Sequence, residues 1–255
     1  MSALKRHERI MEILIASQEI TVGELSDTLN VTGKTIREDL AKLEEMGLLV
    51  RVHGGAILAQ NDQYGILSGQ GVNTKHMPEK AEIAERALHY IQPNDIIALD
   101  GGSTTLEIAR RLPAMPLTVV TNDLFILSEL AKKEQIRLVV PGGERNRNML
   151  ISSQAIEYVR GLNIHKAFVS STALHPEFGL SIYTGDLVPF KKALVETAQH
   201  VYGVIDHQKF GQFALWTFAG CQELDRIITD SGLSAEQAEQ FRQAGIPLDQ
   251  ADSSS

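Results

Sequence analysis

Cysteine is almost missing from this chain of 255 residues: Cys221 stands alone, so no disulfide can close within one chain and no thiolate set can hold zinc. Long hydrophobic runs are missing too. No apolar stretch approaches the roughly 18 residues that a membrane-spanning helix needs. The short run Ile13 to Ala16 follows Lys5, Arg6, Arg9 and Glu12, which is not a signal-peptide pattern. A cytoplasmic protein with no membrane partner is the expectation. The eight histidines are scattered without H-E-x-x-H or another metal spacing. Positive charge is also in short supply, with a net charge of −8. Residues 1–60 carry seven Lys/Arg against nine Asp/Glu. Any nucleic-acid contact therefore has to come from local placement of cations, because bulk attraction is absent.

What is present is a folded protein's composition, 43% hydrophobic and 22% charged, written in two grammars. In residues 1–59 the pattern predicts three helices and a hairpin. Ile10, Ile13 and Leu14 recur at helical spacing in a first helix from Leu4 to about Ser17. Thr21 with Glu24 three residues on forms a capping-box pattern, and Val22, Leu25 and Leu29 share one face of the helix it starts. Thr32 is the expected N-cap of a third helix, with Ile36, Leu40 and Leu43 on its inner stripe and Gly47 as its stop. Two short strands around His53-Gly54-Gly55 complete the order of a winged helix-turn-helix.

Residues 60–77 show no clear period and read as a linker. From 78 to 250 strands alternate with helices. Strands are expected at 96–99, 117–120, 136–140, 166–170, 201–205 and 226–229, and helices at 103–112, 123–133 and 187–199. Apolar strands between amphipathic helices imply a mainly parallel sheet covered on both faces. A polar tail, 251–255, ends the chain.

With the inner stripe buried, Lys34, Arg37, Glu38, Ala41 and Lys42 project outward from the third helix, and Thr32, Gly33, Lys34 and Thr35 sit at its start. That end is the one a recognition helix directs at base edges, and small residues there let its N–H groups reach a phosphate. Lys5, Arg6 and Arg9 on the first helix, with Arg51 and His53 on the wing, would add phosphate contacts. A helical interaction module with solvated face charges fits the same pattern. Thr35-Ile36-Arg37-Glu38-Asp39-Leu40, followed by Gly47-Leu48-Leu49-Val50-Arg51-Val52-His53-Gly54-Gly55-Ala56, resembles the N-terminal signature of the DeoR family of bacterial transcriptional regulators. The family usually has a second basic residue where this chain has Glu38.

In the second region Asp100-Gly101-Gly102-Ser103-Thr104-Thr105 follows a strand and opens a helix. Glycines, hydroxyls and free N–H groups at a helix start suit a phosphate. The loop is neither G-x-G-x-x-G nor a P-loop, so no dinucleotide cofactor is indicated. Thr121-Asn122-Asp123 and Pro141-Gly142-Gly143-Glu144-Arg145 follow the next two strands. Such loops at the carboxyl ends of parallel strands are where an open α/β sheet binds ligand, although each could be only a capped turn. The DeoR resemblance extends here, through Gly102-Ser103-Thr104-Thr105, Thr121-Asn122, Gly142-Gly143 and Asp206-His207-Gln208-Lys209-Phe210-Gly211. It implies an effector domain similar to ribose-5-phosphate isomerase and glucosamine-6-phosphate deaminase, binding a phosphorylated sugar or related metabolite, with Lys209 as a cation for phosphate or a sugar oxygen. Lys209 also reads as a plain surface lysine after a strand.

Ser170-Ser171-Thr172-Ala173 stands where the family usually has Gly-Ala-Asp-Gly, the site of the carboxylate that the isomerases use. Asp100 and Asp186 are then the obvious acids near the inferred pocket, while Lys191 and Lys192 are expected on a helix surface. Proton transfer needs a positioned base. No carboxylate–lysine or carboxylate–histidine set stands out, so neither a catalytic set nor a metal is expected. The expected function is a DNA-binding regulator, a repressor of a carbohydrate-utilisation operon by family habit, reading double-stranded operator DNA as a homo-oligomer. The alternative is a sugar-phosphate isomerase or deaminase with an appended helical module.

Overall fold

Thr21 starts a helix as its sequence dictates. Its hydroxyl accepts the Glu24 N–H at 3.2 Å, and the Glu24 carboxylate accepts the Thr21 N–H at 2.9 Å. Two orphan donors of the helix start are thereby satisfied. The protein is described by a computed structural model covering residues 3–17, 19–45, 49–58 and 76–252. It divides into two compact units, residues 1–70 and 71–255.

The first unit runs α1 (Ala3–Ser17), β1 (Glu19–Thr21), α2 (Val22–Leu29), α3 (Gly33–Glu45), β2 (Leu49–Val52) and β3 (Gly55–Leu58). Ile10, Leu14, Leu25, Ile36, Leu40, Leu43 and Leu49 are buried, so the predicted apolar stripes face inward, except that Ile13 of the first is only half-buried. Thr32 caps α3 through the Thr35 N–H at 3.3 Å. The expected stop at Gly47 lies outside the described residues. The hairpin gains a third strand that alternation could not announce. The sheet order is β1-β3-β2, all antiparallel, with the three residues of β1 paired to β3. Gly55 is required by that pairing, since a Cβ there would lie 2.2 Å from the Ile20 carbonyl oxygen.

The second unit begins with α4 (Met77–Leu88), followed by β4 (Ile96–Leu99), α5 (Ser103–Arg111), β5 (Leu117–Val120), α6 (Leu124–Leu130) and β6 (Ile136–Val139). A hairpin of β7 (Glu144–Asn146) and β8 (Met149–Ile151) comes next. Then follow α7 (Ser153–Arg160), β9 (Lys166–Val169), β10 (Ala173–His175), β11 (Gly179–Ile182), α8 (Val188–Thr197) and β12 (His200–Val204). The unit closes with β13 (Trp216–Ala219), β14 (Arg226–Thr229), α9 (Ala235–Gln243) and β15 (Leu248–Gln250). Seven parallel strands form the main sheet in the order β15-β14-β12-β9-β4-β5-β6. The six expected strands are in it, several ending a residue earlier or starting a residue sooner, and β15 is added. β10, β11 and β13 make a separate antiparallel sheet.

Successive strand residues point to opposite faces, and both faces are covered. Ile97 and Leu99 join the layer of α4, α5 and α6, while Ala98 joins that of α7, α8 and α9. The expected helix over 123–133 is shorter, because Asp123 is its cap and it stops at Leu130. Lys133 instead donates to the Ala109, Arg110 and Leu112 carbonyls at 2.7–2.9 Å, capping the end of α5. Among the described residues no helix is long and apolar enough to cross a membrane.

Candidate functional site

On the first unit, α3 presents Thr32, Lys34, Arg37 and Lys42 as exposed residues, with Gly33 and Thr35 half-buried at its start. Lys34 faces Glu38 at 3.9 Å, a weak pair at full exposure. Lys5, Arg9, Arg51 and His53 are exposed as well. Arg9 pairs with Glu12 at 2.6 Å. Arg51 pairs with Glu44 at 2.7 Å, and its N–H also donates to Glu44 at 2.8 Å, so wing and α3 are tied together. Arg6 departs from expectation. It turns inward, its side chain 12% exposed, and forks onto Asp39 of α3 at 2.5 and 2.9 Å. The acid of the Arg-Glu-Asp-Leu run draws it there, so Arg6 does not stand out on the surface as a phosphate contact would.

On the second unit, the expected loops sit at the carboxyl ends of β4, β5 and β6. Gly101 and Gly102 are buried where a Cβ would meet Met149 at 2.4 Å and the Ser170 hydroxyl at 2.3 Å. Close approach of backbone to neighbours is what these glycines permit. Thr105 donates to the Gly102 carbonyl at 2.9 Å, and no side chain caps the start of α5. Asp100 is fully buried. One oxygen, Oδ2, accepts from the Ser170 N–H at 3.1 Å, the Ser170 hydroxyl at 3.3 Å and the Lys191 ammonium. Lys191 also donates to the Ser170 carbonyl at 2.9 Å and lies 5.0 Å from the centre of the Phe218 ring. A carboxylate–lysine pair therefore does exist. Lys191 is buried at 2% exposure, which corrects its placement on the helix surface, whereas Lys192 is exposed.

The β7–β8 hairpin folds across the end of β5. Leu150 N–H donates to the Asn122 carbonyl and Asn122 Nδ2 to the Leu150 carbonyl, at 2.8 and 2.9 Å. Asn148 donates to Asp123 at 2.6 Å. Burial pushes the Asp123 carboxyl up to about 6, with the nearby Asp100 charge adding to the rise. The N–H groups of Ile126 and Phe125 and the Asn148 amide oppose it. Gly142 and Gly143 have left-handed φ of 82° and 124°, and a Cβ on Gly143 would lie 2.4 Å from the Ile151 carbonyl. These two glycines make the turn into the hairpin, and Arg145 is exposed on it, bonded to the Arg147 carbonyl at 2.8 Å. A cleft of about 790 Å³ beside the hairpin is lined by Glu144, Ser152, Gln154, Asp186 and Phe190, and takes in Gly143 alone of the expected effector residues.

Buried polar atoms without a hydrogen-bond partner include five around the ends of β4, β5 and β9, namely Asp100 Oδ1, Thr104 Oγ1, Asn122 Oδ1, Asn148 Oδ1 and Ser171 Oγ, and one at the end of β14, Thr229 Oγ1. Buried polar atoms are almost always paired, so these six lack the partner that such groups normally have. Lys209 belongs to a neighbouring group. It is buried at 7% exposure, 3.1 Å from Asp206, which refutes the plain surface reading. Burial raises the Asp206 carboxyl, but the charge and hydrogen bond of Lys209, with the charges of Lys80 and His76, outweigh it and hold it below the usual range.

Residues 6–62 match the family described as a DeoR-like helix-turn-helix domain, and residues 75–231 match the DeoR C terminal sensor domain. The chain belongs to the DeoR family. YgbI of Escherichia coli, an uncharacterized HTH-type transcriptional regulator, is 35% identical over 236 residues, 91% of this chain and 92% of that protein. The HTH-type transcriptional repressor GlcR of Bacillus subtilis is 31% identical over 223 residues, 87% of this chain and 86% of its own. Among solved structures, ribose 5-phosphate isomerase A of Methanocaldococcus jannaschii aligns at 16% identity over 51% of this chain and 53% of its own, with a TM-score of 0.39. This DeoR-type chain is a DNA-binding transcriptional regulator. Its sensor domain contains the buried Asp100–Lys191–Ser170 group together with Thr121, 1% exposed, and Asn122, fully buried.

Sequence reasoning missed Lys191, Asn148 and the orphaned Ser171. For Lys191 a signal existed: Leu187, Lys191, Leu194 and Val195 share one helical face, so a lysine on that stripe points inward. Asn148 had no such signal, because it reaches Asp123 only through the fold of the hairpin. Among the described residues no group of His, Cys, Asp and Glu could hold a metal ion.

Proposed function

We propose that this DeoR-family regulator is a cytoplasmic repressor of a carbohydrate-utilisation operon, and that a phosphorylated sugar or related metabolite bound in the sensor unit controls its grip on operator DNA. The row of orphaned buried polar atoms at the carboxyl ends of β4, β5 and β9 carries the effector half of this reading. Gly102, Ser103, Thr104 and Thr105 at the uncapped start of α5 would take the phosphate, with Lys209 as a cation for the phosphate or a sugar oxygen. Asp100, Gly101, Thr121 and Asn122 would meet the hydroxyl-bearing end, and Gly142, Gly143 and Arg145 would place the hairpin over it. The residues proposed to face DNA are Thr32, Gly33, Lys34, Thr35, Arg37 and Lys42, with Lys5, Arg9, Arg51 and His53 on phosphates.

A ligand shifts DNA binding only by its difference in affinity for the two states. The test is a mobility-shift titration of full-length protein on the promoter fragment nearest its own gene, repeated with a panel of common pentose, hexose and amino-sugar phosphates. One of these should change operator affinity by at least about fivefold, the lower end of usual coupling. No response to any of them would overturn the effector assignment. The Asp100–Lys191 pair makes turnover worth measuring, since it sets a carboxylate beside an amine. We propose that the domain binds without reacting, because Lys191 already donates to two acceptors. Isomerisation or deamination of any of the sugar phosphates would refute that.

A further inference from the structure

The Arg6–Asp39 contact joins α1 to α3. Asp39 lies on α3 with its side chain 4% exposed, and it takes both nitrogens of the Arg6 fork, Nε on one oxygen and Nη2 on the other. His7 Nε2 reaches the same carboxylate at 2.9 Å. Three groups from two helices, 32 and 33 residues apart in sequence, thus meet on one side chain. The rest of the α3 seat is Ile36, Leu40 and Leu43, all buried. Apolar packing is non-directional and lets a helix rotate or slide by fractions of an ångström. A bidentate guanidinium–carboxylate pair has a fixed plane and does not. Arg37 and Asp39 are two residues apart, hence about 200° apart around the helix axis. The fork therefore holds α3 from directly behind the side chain proposed to face the bases.

We infer that Asp39 is the positioning residue of the DNA reader: through Arg6 and His7 it sets the rotation and advance of α3, and Arg6 itself contacts no phosphate. Base readout depends on bidentate hydrogen bonds with narrow geometry, whereas phosphate attraction is long-ranged and tolerant. Loosening the fork should therefore cost discrimination and leave the sequence-independent term alone. The inference rests on α3 being the helix that enters the major groove. Arg37→Ala tests that separately, since loss of discrimination there with none in the fork variants rejects the inference but keeps the helix assignment.

Arg6→Lys retains the charge but loses the fork, and Asp39→Asn retains the shape but loses the charge. Full-length protein with each change, with both, and with Arg6→Gln is titrated against the promoter fragment and a scrambled duplex over a sodium chloride series, with thermal unfolding recorded alongside. Arg6→Lys and Asp39→Asn should each weaken operator binding about tenfold, the size of one misread base pair. Scrambled-duplex affinity should stay unchanged, and the double variant should be no worse than the worse single one. Arg6→Gln should leave the slope of log affinity against log salt unchanged. A slope smaller by about one would make Arg6 a phosphate contact and overturn the inference. Equal losses on both duplexes with a lowered Tm would make the pair a stability element only, and wild-type operator binding by both single variants would also refute it.

Discussion

Lys191, on α8, closes onto Asp100 at the end of β4, 91 residues earlier in the chain, and leaves one Asp100 oxygen buried with no partner. Breaking a buried ion pair from one side strands the other charge, at a cost of about 3–5 kcal/mol, while removing both charges costs far less. Asp100→Asn and Lys191→Met should each lower the urea midpoint of the sensor unit, and the double variant should recover most of the loss. Trp216 is the chain's single tryptophan and lies on β13 of that unit, so its fluorescence reports the transition.

Asp123 makes stability depend on pH. Its folded value of about 6 lies above an unfolded carboxylate's ~3.9. The folded state thus holds the proton more tightly. That stabilisation is present below about pH 4 and is lost as pH rises through 6, by roughly 2–3 kcal/mol for a buried group. Asp123→Asn keeps an N-cap for α6, and Asn148 can turn its orphaned oxygen towards the new amide. Urea midpoints should therefore be higher for the variant at pH 8 and indistinguishable at pH 4.

Arg37→Ala should weaken operator binding by about tenfold or more, and Lys42→Ala less, because Lys42 lies in the last turn of α3, away from its entering end. Quantitative mobility shifts decide this. Operator affinity unchanged in Arg37→Ala would mean that the outward face of α3 is not the reading face.

Ser103→Asp should abolish the effector response while leaving operator affinity in place. A carboxylate at the first position of α5 suits the helix start, so the fold tolerates it, but it repels a phosphate. An unaltered response to the active sugar phosphate would remove this loop from the site.

Much of the architecture was legible because it is local. The Thr21–Glu24 box, the Thr32 cap and the apolar stripes depend on residues within four positions, and the six main strands on short apolar runs between helices. β1 was not legible, because three residues carry no period and become a strand only by pairing with β3. The pairing of Arg6 was not legible for the same reason, since Asp39 lies 33 residues on, whereas the acid beside Lys209 is only three residues before it. Arg6 read as a cation for a DNA phosphate, and Lys209 as either a cation for the effector or a plain surface lysine. One turned inward to Asp39 and the other settled beside Asp206 at the sheet edge.

The amino-acid sequence alone determined two units, a winged reader and a parallel α/β sensor, since periodicity, caps and turn glycines act over a few residues. Only the tertiary structure decided which charges are spent on each other. Buried charges need partners, and those of Asp39 and Asp100 lie 32 to 91 residues away, where no local pattern records them, whereas Asp123 is held by its own helix cap as well as by Asn148.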